Sequence, residues 1–261
     1  MTAVLPSLED PVVVARVEAV LGRFSDVSHA LLASRALMQR VDRKYTLAAD
    51  RIERILARLS NAYGVLRAGN VLAGRYRTLY FDTPDLRLYH AHRRGRDQRY
   101  KVRIRHHLDR EVSFLEVKHR NAMGRSIKSV LPVSFGCSTL GEDAYTFIER
   151  HCPVPARELA PCIWITFRRI TLVGYEWDER ITIDCNLEYG DGRKSERWPA
   201  VAIAEVKQRR RVNHAPSVQA LRCARVSERS ISKYCVATAH LAEVRGNSFK
   251  PALRALERAS R

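Results

Sequence analysis

The feature that most constrains the fold is a short segment, residues 99–105, in which basic and apolar side chains alternate. Successive side chains of a β-strand point to opposite faces of the sheet. The segment therefore predicts a strand with two unlike faces. The basic face carries Arg99, Lys101, Arg103 and Arg105, and the apolar face carries Tyr100, Val102 and Ile104. Four aligned cations repel one another unless an anion faces them.

Four other segments repeat this alternation, with acids at selected positions. They are residues 40–47, 114–120, 180–184 and 202–209, and their polar faces include Asp42, Lys44, Glu116, Lys118, Arg180, Asp184, Glu205 and Lys207. Apolar residues at helical spacing predict helices over residues 12–21, 48–59, 142–151, 231–244 and 251–259, and another from residue 218. Strands and helices in this arrangement indicate an α+β fold with an antiparallel sheet.

The charge balance favours a polyanionic partner. The chain has 46 Lys and Arg against 28 Asp and Glu, a formal net charge of +18. Such an excess costs self-repulsion and is typical of proteins that bind polyanions. A sheet with one solvated face is the alternative, but such a face usually mixes neutral polar side chains with charged ones. We therefore predict an antiparallel β-barrel tunnel with a charged lumen and with helices packed outside.

Seven motifs then carry a resemblance to a known family. They are RVDRKYTL (residues 40–47), YRTLYFDTPDLRLY (76–89), YKVRIR (100–105), FLEVKHR (114–120), GRSIKSV (124–130), AEVKQRR (204–210) and SISKY (230–234). In this order they resemble the catalytic domain of the vacuolar transporter chaperone (VTC) polyphosphate polymerases. That family belongs to the triphosphate tunnel metalloenzymes, or CYTH-like proteins.

The resemblance implies a phosphotransferase that passes the γ-phosphoryl group of ATP to a growing inorganic polyphosphate chain. The implied phosphate ligands are Lys44, Arg103, Arg105, Lys118, Lys128, Arg169, Arg180 and Lys233. Ser232 is implied as a hydroxyl contact, and Lys101 and Lys207 join it as substrate-binding residues on the basic strand faces. Glu205 is implied as the ligand of Mn²⁺ or Mg²⁺, and Glu116 is a second candidate because it repeats the same Glu-Val-Lys context.

Two positions depart from the family pattern. The family usually has Glu at position 42, where this chain has the shorter Asp42, and Tyr at position 167, where this chain has Phe167. The first change could move a metal ion or an internal ion pair, and the second removes a hydroxyl contact. Neither change removes a cation, so both are compatible with the predicted phosphate binding.

Two other function classes stay open at this point. A tunnel triphosphatase, which hydrolyses inorganic or nucleoside triphosphate, would need a positioned water and usually more carboxylates than the strand faces supply. A non-catalytic protein that binds polyphosphate or nucleic acid would more often place its cations on exposed helices or loops. We therefore expect ATP and inorganic polyphosphate as partners and regard nucleic acid as a poor fit. The pattern leaves the oligomeric state open.

Composition and spacing add three expectations. The six cysteines lack a metal-binding spacing and suit a reducing compartment. We therefore expect a cytoplasmic protein, or one held at the cytoplasmic face of a membrane by a membrane-protein partner. The predicted organisation is an N-terminal helical segment (1–39), a tunnel domain (40–240) and a basic C-terminal tail (241–261). The tail contains Arg245, Lys250, Arg254, Arg258 and Arg261, a separate patch for anionic lipid or nucleic acid.

Overall fold

A computed structural model describes residues 11–35, 41–242 and 244–259. The helices are α1 (Pro11–Leu21), α2 (His29–Ser34), α3 (Arg51–Ala57), α4 (Arg87–Arg93), α5 (Glu142–His151), α6 (Pro216–Cys223), α7 (Lys233–Leu241) and α8 (Lys250–Ala259). The strands are β1 (Val41–Ala48), β2 (Tyr63–Val65), β3 (Ala73–Asp82), β4 (Arg99–His107), β5 (Val112–Arg120), β6 (Ser126–Val133), β7 (Ala160–Gly174), β8 (Glu179–Gly190), β9 (Ser195–Trp198) and β10 (Val201–Gln208). Among these residues no helix is long and apolar enough to cross a bilayer.

All ten strands join one antiparallel sheet, as the alternation predicts. The order along the sheet is β1-β10-β8-β7-β3-β4-β5-β6, with β2 added on β7 and β9 on β8. The sheet curls until its two ends approach each other, because Lys118 on β5 lies 3.6 Å from Asp42 on β1. The predicted barrel is therefore confirmed, although side chains rather than a hydrogen-bonded ladder of β1 with β6 join its ends in the described structure.

A short segment, residues 226–229, covers the free edge of β1. The backbone NH of Arg229 donates to the carbonyl oxygen of Lys44, with the nitrogen and oxygen 2.7 Å apart. Arg43, which interrupts the apolar face of this strand, is buried and donates to Glu228 over 3.0 Å. The edge strand is thus shielded from pairing with another chain, which is the usual hazard of an open sheet edge.

Helices cover the outer face of the sheet in two places. The apolar sides of β1, β7, β8 and β10 form one core with α1, α3 and α6, in which Ile52, Leu56 and Leu221 are buried. The apolar sides of β3, β4 and β5 form a second core with α5, in which Val102, Ile104 and Ile148 are buried. The outward position of Val102 and Ile104 confirms the two-faced reading of residues 99–105, since the cations of β4 then point inward.

The interior is apolar where α7 and α8 pack, on the inner face at one end of β8 and β10. There Leu187, Tyr189, Val201 and Ile203 form a third core with Leu256 and other residues of these two helices. A bulge in the pairing of β7 with β8, with Asn186 at a φ of 49°, shifts the alternation of β8. Leu187 and Tyr189 therefore face inward although Cys185 faces outward.

The predicted helices are present, with adjusted bounds. The helix expected over residues 48–59 is shorter, because β1 continues to Ala48 and α3 begins at Arg51. Periodicity did not predict α2 or α4, which have six and seven residues. The C-terminal residues form a helix docked on the sheet through Ala252, Ala255 and Leu256. Arg40 and Arg261 lie outside the described residues, and the domain boundaries stay a prediction.

Candidate functional site

The inner face of the curled sheet encloses a cavity of about 250 Å³, here called the lumen. Ten basic side chains line it: Lys44, Lys101, Arg103, Arg105, Lys118, Lys128, Arg169, Arg180, Lys207 and Lys233. The remaining wall is formed by Tyr80, Ser126, Asp184, Ile203, Glu205, Ile231 and Ser232. Ten cations against two carboxylates make this a strongly positive cavity with a partly apolar wall, where electrostatic interactions are less screened than in water.

Strand register places the charged residues in rows across the lumen. On one side, Lys101, Lys118 and Lys128 lie directly opposite one another on β4, β5 and β6. We call these three residues the lysine row. Like charges directly opposite each other on neighbouring strands are destabilising. The lysine row is therefore an arrangement that a bound polyanion would relieve.

The opposite side of the lumen pairs its cations with carboxylates. Glu205 on β10 lies 3.3 Å from the Lys44 Nζ and accepts a 2.7 Å hydrogen bond from Lys207. Burial by itself would raise the pKa of Glu205, but Lys207, Lys44 and Lys118 outweigh it and hold the pKa well below its ordinary value. Glu205 is therefore an ionised carboxylate that shares its charge between two lysines.

Asp184 on β8 holds the second carboxylate centre. It accepts two hydrogen bonds from Arg169, at 2.6 and 2.8 Å, and a third from Lys233. Burial opposes the charge of Asp184, but Arg169 and Lys233 keep its pKa below the ordinary value. We call Glu205, Asp184 and the four cations bound to them the carboxylate-paired wall. A bidentate arginine fixes geometry as well as charge, so this wall is preorganised.

Glu116 on β5 stands behind the cavity surface. Its side chain is buried and is bound by Arg103 at 2.7 Å and by Lys128 at 3.2 Å. Arg103 also donates to the hydroxyl of Tyr80 over 2.9 Å. Glu116 therefore positions two of the predicted phosphate ligands, and both of its oxygens are already engaged.

Two lumen cations have neutral hydrogen-bond partners. Arg105 donates to Thr78 over 3.3 Å, and Lys101 donates to Ser232 over 2.8 Å. Burial, with Arg103 nearby, lowers the pKa of Arg105 to about 10. Neither residue forms an ion pair with a carboxylate in the described part of the chain. No carboxylate therefore binds either cation directly, although Glu116 is close enough to raise the pKa of Arg105.

Three lysines of the lumen have pKa values close to neutral pH. Burial is the main cause that lowers the pKa of Lys101, Lys118 and Lys207 to about 8 in each case. Neighbouring cations lower the pKa further, while Glu205 partly opposes this at Lys118 and Lys207. An anion bound among them would favour their charged forms.

The first turn of α7 brings two more functional groups into the lumen. Ser232 caps this helix by accepting from the NH of Cys235, and its hydroxyl also accepts from Lys101. The helix is anchored from behind by Tyr234, whose hydroxyl donates to the buried carboxylate of Asp82. Lys233 is therefore held at a fixed position above Asp184.

The structure brings twelve of the thirteen predicted site residues to one cavity, and Glu116 lies directly behind them. The alternation had also placed Asp184 in the lumen, but its role as the partner of two cations was not predicted. The hydrogen bond that Tyr80 accepts from Arg103 was not predicted either, although the position of Tyr80 on a two-faced strand could have indicated it. Tyr76 packs on Phe167 inside the sheet, with ring centroids 5.4 Å apart.

The donor set fits a metal ion that enters with phosphate. No group of three or more His, Cys, Asp or Glu side chains able to hold a metal occurs in residues 11–35, 41–242 and 244–259. Mg²⁺ is commonly bound by one or two carboxylates together with substrate phosphates and waters. Glu205 suits this role, because it lines the cavity and a phosphate would compete for the lysines that now hold it.

The curled antiparallel sheet with a basic interior defines the class of this protein as a tunnel fold. The sequence matches the VTC domain family over residues 39–242. The match covers most of the chain, and the protein belongs to the VTC domain family. This confirms the resemblance carried by the seven motifs.

Solved structures of other proteins resemble the chain at low identity. A candidate adenylate cyclase from Bacillus halodurans has a TM-score of 0.49 and 14% identity, over 74% of this chain and 94% of that chain. A candidate adenylyl cyclase from Hippeastrum, described as having a dominant triphosphatase activity, has a TM-score of 0.46 and 13% identity, over 78% and 97%. A candidate adenylate cyclase from Vibrio parahaemolyticus has a TM-score of 0.44 and 14% identity, over 75% and 95%. No curated protein sequence matches the chain.

Proposed function

We propose that the protein is a polyphosphate polymerase that transfers the γ-phosphoryl group of ATP to the end of an inorganic polyphosphate chain within the lumen. The observation that carries the proposal is the convergence of ten cations on one cavity inside the sheet. Phosphoryl transfer depends mainly on positioning and on stabilising charge, and needs little covalent help from the protein. A preorganised cage of Arg and Lys supplies both.

The chemistry of the lumen carboxylates favours transfer to phosphate over hydrolysis. Hydrolysis needs a base or another group that activates water, and an efficient general base has a pKa near the working pH. Glu116, Asp184 and Glu205 have pKa values below the ordinary range, and cations engage each of them. The terminal oxygen of a polyphosphate chain is already ionised near neutral pH. It therefore attacks without a protein base.

The transfer step forms one bond to phosphorus and breaks one. An oxygen of the acceptor chain forms a bond to the γ-phosphorus, the bond from that phosphorus to the β–γ bridging oxygen breaks, and ADP leaves. Arg169 and Lys233, fixed by Asp184, hold phosphate oxygens in place, while Arg105 contributes a charge that is not bound by a carboxylate. The lysine row neutralises the chain of phosphates beside them.

A divalent cation, Mn²⁺ or Mg²⁺, would be held by Glu205 and would neutralise charge on the phosphates. The residues around Glu205 keep that carboxylate ionised and exposed to the cavity. Glu116 is the weaker metal candidate, because Arg103 and Lys128 occupy its oxygens and it lies behind the surface.

Product length distinguishes the candidate functions. The protein is incubated with ATP and either Mn²⁺ or Mg²⁺, and the products are resolved by chain length on a gel. We expect ADP and phosphate chains longer than triphosphate. Free phosphate without longer chains would assign the site to a triphosphatase. Triphosphate binding without any turnover would make the protein a non-catalytic binder and overturn the proposal.

Glu205→Gln tests the metal ligand separately from phosphate binding. We expect the loss of metal-dependent turnover, because the cation loses its protein ligand. Metal-free affinity for triphosphate should stay equal or increase, since Lys44 and Lys207 lose their competing carboxylate. Glu188→Gln is the matched control, because Glu188 is an exposed acid on the same molecule. Full turnover in Glu205→Gln would assign the metal to another carboxylate.

The membrane-protein partner and the cytoplasmic location stay predictions of the sequence.

A further inference from the structure

A second basic cavity, of about 400 Å³, lies outside the lumen beside β1. Its basic residues are Arg51 on α3, Arg225 and Arg229 on the loop after α6, and Arg258 on α8. We call this cavity the arginine groove. Only one carboxylate, Asp50, is among its lining residues, and small side chains such as Ala255 and Ala259 leave it open. Four arginines on three separate elements thus meet at one concave surface.

The arginines of the groove are largely uncompensated. Arg51 donates to the carbonyls of Ala224 and Arg225, at 2.8 and 3.5 Å. Arg225, Arg229 and Arg258 are exposed, and their side chains form no ion pair within the described ranges. The hydroxyl of Thr46 is buried at the groove and has no hydrogen-bond partner in the described structure. A ligand with several acceptor oxygens would bind the exposed arginines together.

The groove and the lumen share one connecting segment. Arg229 lines the groove, whereas Ile231 and Ser232 line the lumen. Three residues of extended chain span at most about 10 Å, so the two cavities lie close together. The same proximity holds on β1, where Thr46 lines the groove and Lys44, two positions earlier, lines the lumen. A single flexible polyanion is therefore able to contact both cavities.

We propose that the arginine groove is a second phosphate-binding site, which holds the part of a polyphosphate chain that extends beyond the lumen. This inference rests on the proposed function, because it takes polyphosphate as the ligand of the lumen. Arginine suits the task, since its planar guanidinium binds phosphate oxygens bidentately and stays charged at all relevant pH values. The groove makes affinity increase with chain length, by adding contacts that triphosphate is too short to form.

The test measures the binding of inorganic triphosphate and of long-chain polyphosphate by calorimetry at several salt concentrations. The variant is Arg229→Ala combined with Arg258→Ala, and the control is Arg23→Ala combined with Arg150→Ala. The control removes the same charge from exposed positions elsewhere. We expect the groove variant to bind long chains about ten-fold more weakly than wild type at low salt. Its salt slope for long chains should fall by about two, because each lost phosphate contact lowers the slope by about one.

Triphosphate serves as the internal reference. We expect both double variants to bind triphosphate within about two-fold of wild type, a change of at most about 0.4 kcal/mol. A wild-type protein that binds no triphosphate would contradict the proposed function. Normal triphosphate binding with unchanged long-chain affinity in the groove variant would contradict the groove alone. Loss of binding to phosphatidylserine vesicles in the groove variant, with unchanged polyphosphate affinity, would assign the groove to a membrane surface and overturn the proposal.

Discussion

The two sides of the lumen differ in how far carboxylates compensate their buried cations. On the carboxylate-paired wall, Asp184 and Glu205 neutralise the cations around them before any ligand arrives. On the other side, Lys101, Lys118 and Lys128 face one another across three strands. The acids near them in the described structure are Asp42 and Glu116, each in an ion pair with one lysine, and Glu205, which raises the pKa of Lys118. The first wall contributes to folding and positions its arginine. The lysine row keeps a charge that favours ligand binding at the cost of stability.

Arg169→Ala should break the carboxylate-paired wall. The change leaves Asp184 buried with Lys233 as its remaining ion-pair partner in the described structure, so the loss is at most about 3–5 kcal/mol, the cost of an uncompensated buried charge. We expect this loss in the free energy of unfolding from denaturant titration. Arg168→Ala is the matched control, because this neighbouring arginine is exposed. Equal stability of the two variants would contradict a structural role for the wall.

Arg105→Ala should reduce binding without a comparable loss of stability. Arg105 bonds to Thr78 rather than to a carboxylate, so its removal breaks no ion pair, and Glu116 keeps its bonds to Arg103 and Lys128. A charge-assisted hydrogen bond contributes about 1.5–3 kcal/mol, which corresponds to a loss of triphosphate affinity of about ten- to a hundred-fold. Calorimetry measures the affinity. Arg103→Ala is the contrasting variant, because it also strips Glu116 of a partner and should destabilise the fold.

Lys101→Met should stabilise the ligand-free protein while weakening triphosphate binding. Burial of the Lys101 ammonium is unfavourable, as its lowered pKa of about 8 indicates. Relief of that burial and of the repulsion within the lysine row should add about 1 kcal/mol, or about 2–4 °C in Tm. Thermal melts with and without triphosphate measure both effects. A lower Tm in the ligand-free variant would mean that the lysine row is not under repulsion.

Triphosphate affinity should fall by about three- to five-fold between pH 7 and pH 9, since the lysines with a pKa of about 8 lose their charge over this range. Triphosphate itself also titrates over this range, but it does so equally with wild type and with Lys101→Arg. The difference between the two pH profiles therefore reports on Lys101. The variant should show a shallower pH dependence, because arginine stays protonated. Identical pH profiles would exclude Lys101 as a titrating ligand.

The lowered pKa values of these lysines also predict that the folded protein becomes more stable as the pH rises from about 8 to 10.5. In the unfolded chain the lysines titrate at a pKa of 10.5, whereas in the folded chain they titrate at a pKa of about 8. The unfolded state therefore binds more protons between these values. The penalty for burying the lysines is fully present below about pH 8 and disappears as the pH rises toward 10.5.

Strict alternation predicted much of the site, because the period of two holds wherever a strand is regular. It placed Arg103 and Arg105 inward and Val102 and Ile104 outward, as the structure does. On β8 the predicted segment ended at Asp184, and beyond it the bulge at Asn186 reverses the faces. A bulge depends on the pairing partner, so no local pattern on β8 announces it.

The helical part of the site was less accessible to sequence reasoning. Ser232 and Lys233 entered only through the resemblance, because nothing in local periodicity shows that α7 packs inside the curled sheet. The anchoring of α7 by Tyr234 on Asp82 joins residues that are far apart in sequence. The carboxylate-paired wall also combines strands and a helix. Such partnerships follow from topology rather than from spacing.

The pairing of β1 with β10 has a consequence for how the protein is made. This ladder joins Val41 to Gln208, so its contacts have a very large sequence separation. Contacts of this kind form late in folding, because the entropy cost of closing the long loop between the partners comes before the contacts stabilise the fold. On a ribosome, Lys44 emerges about 160 residues before Glu205 and remains without this acid partner until β10 has been synthesised. The lumen is thus completed only after both β1 and β10 have been synthesised and have paired, which delays the binding of any polyanion there until that point.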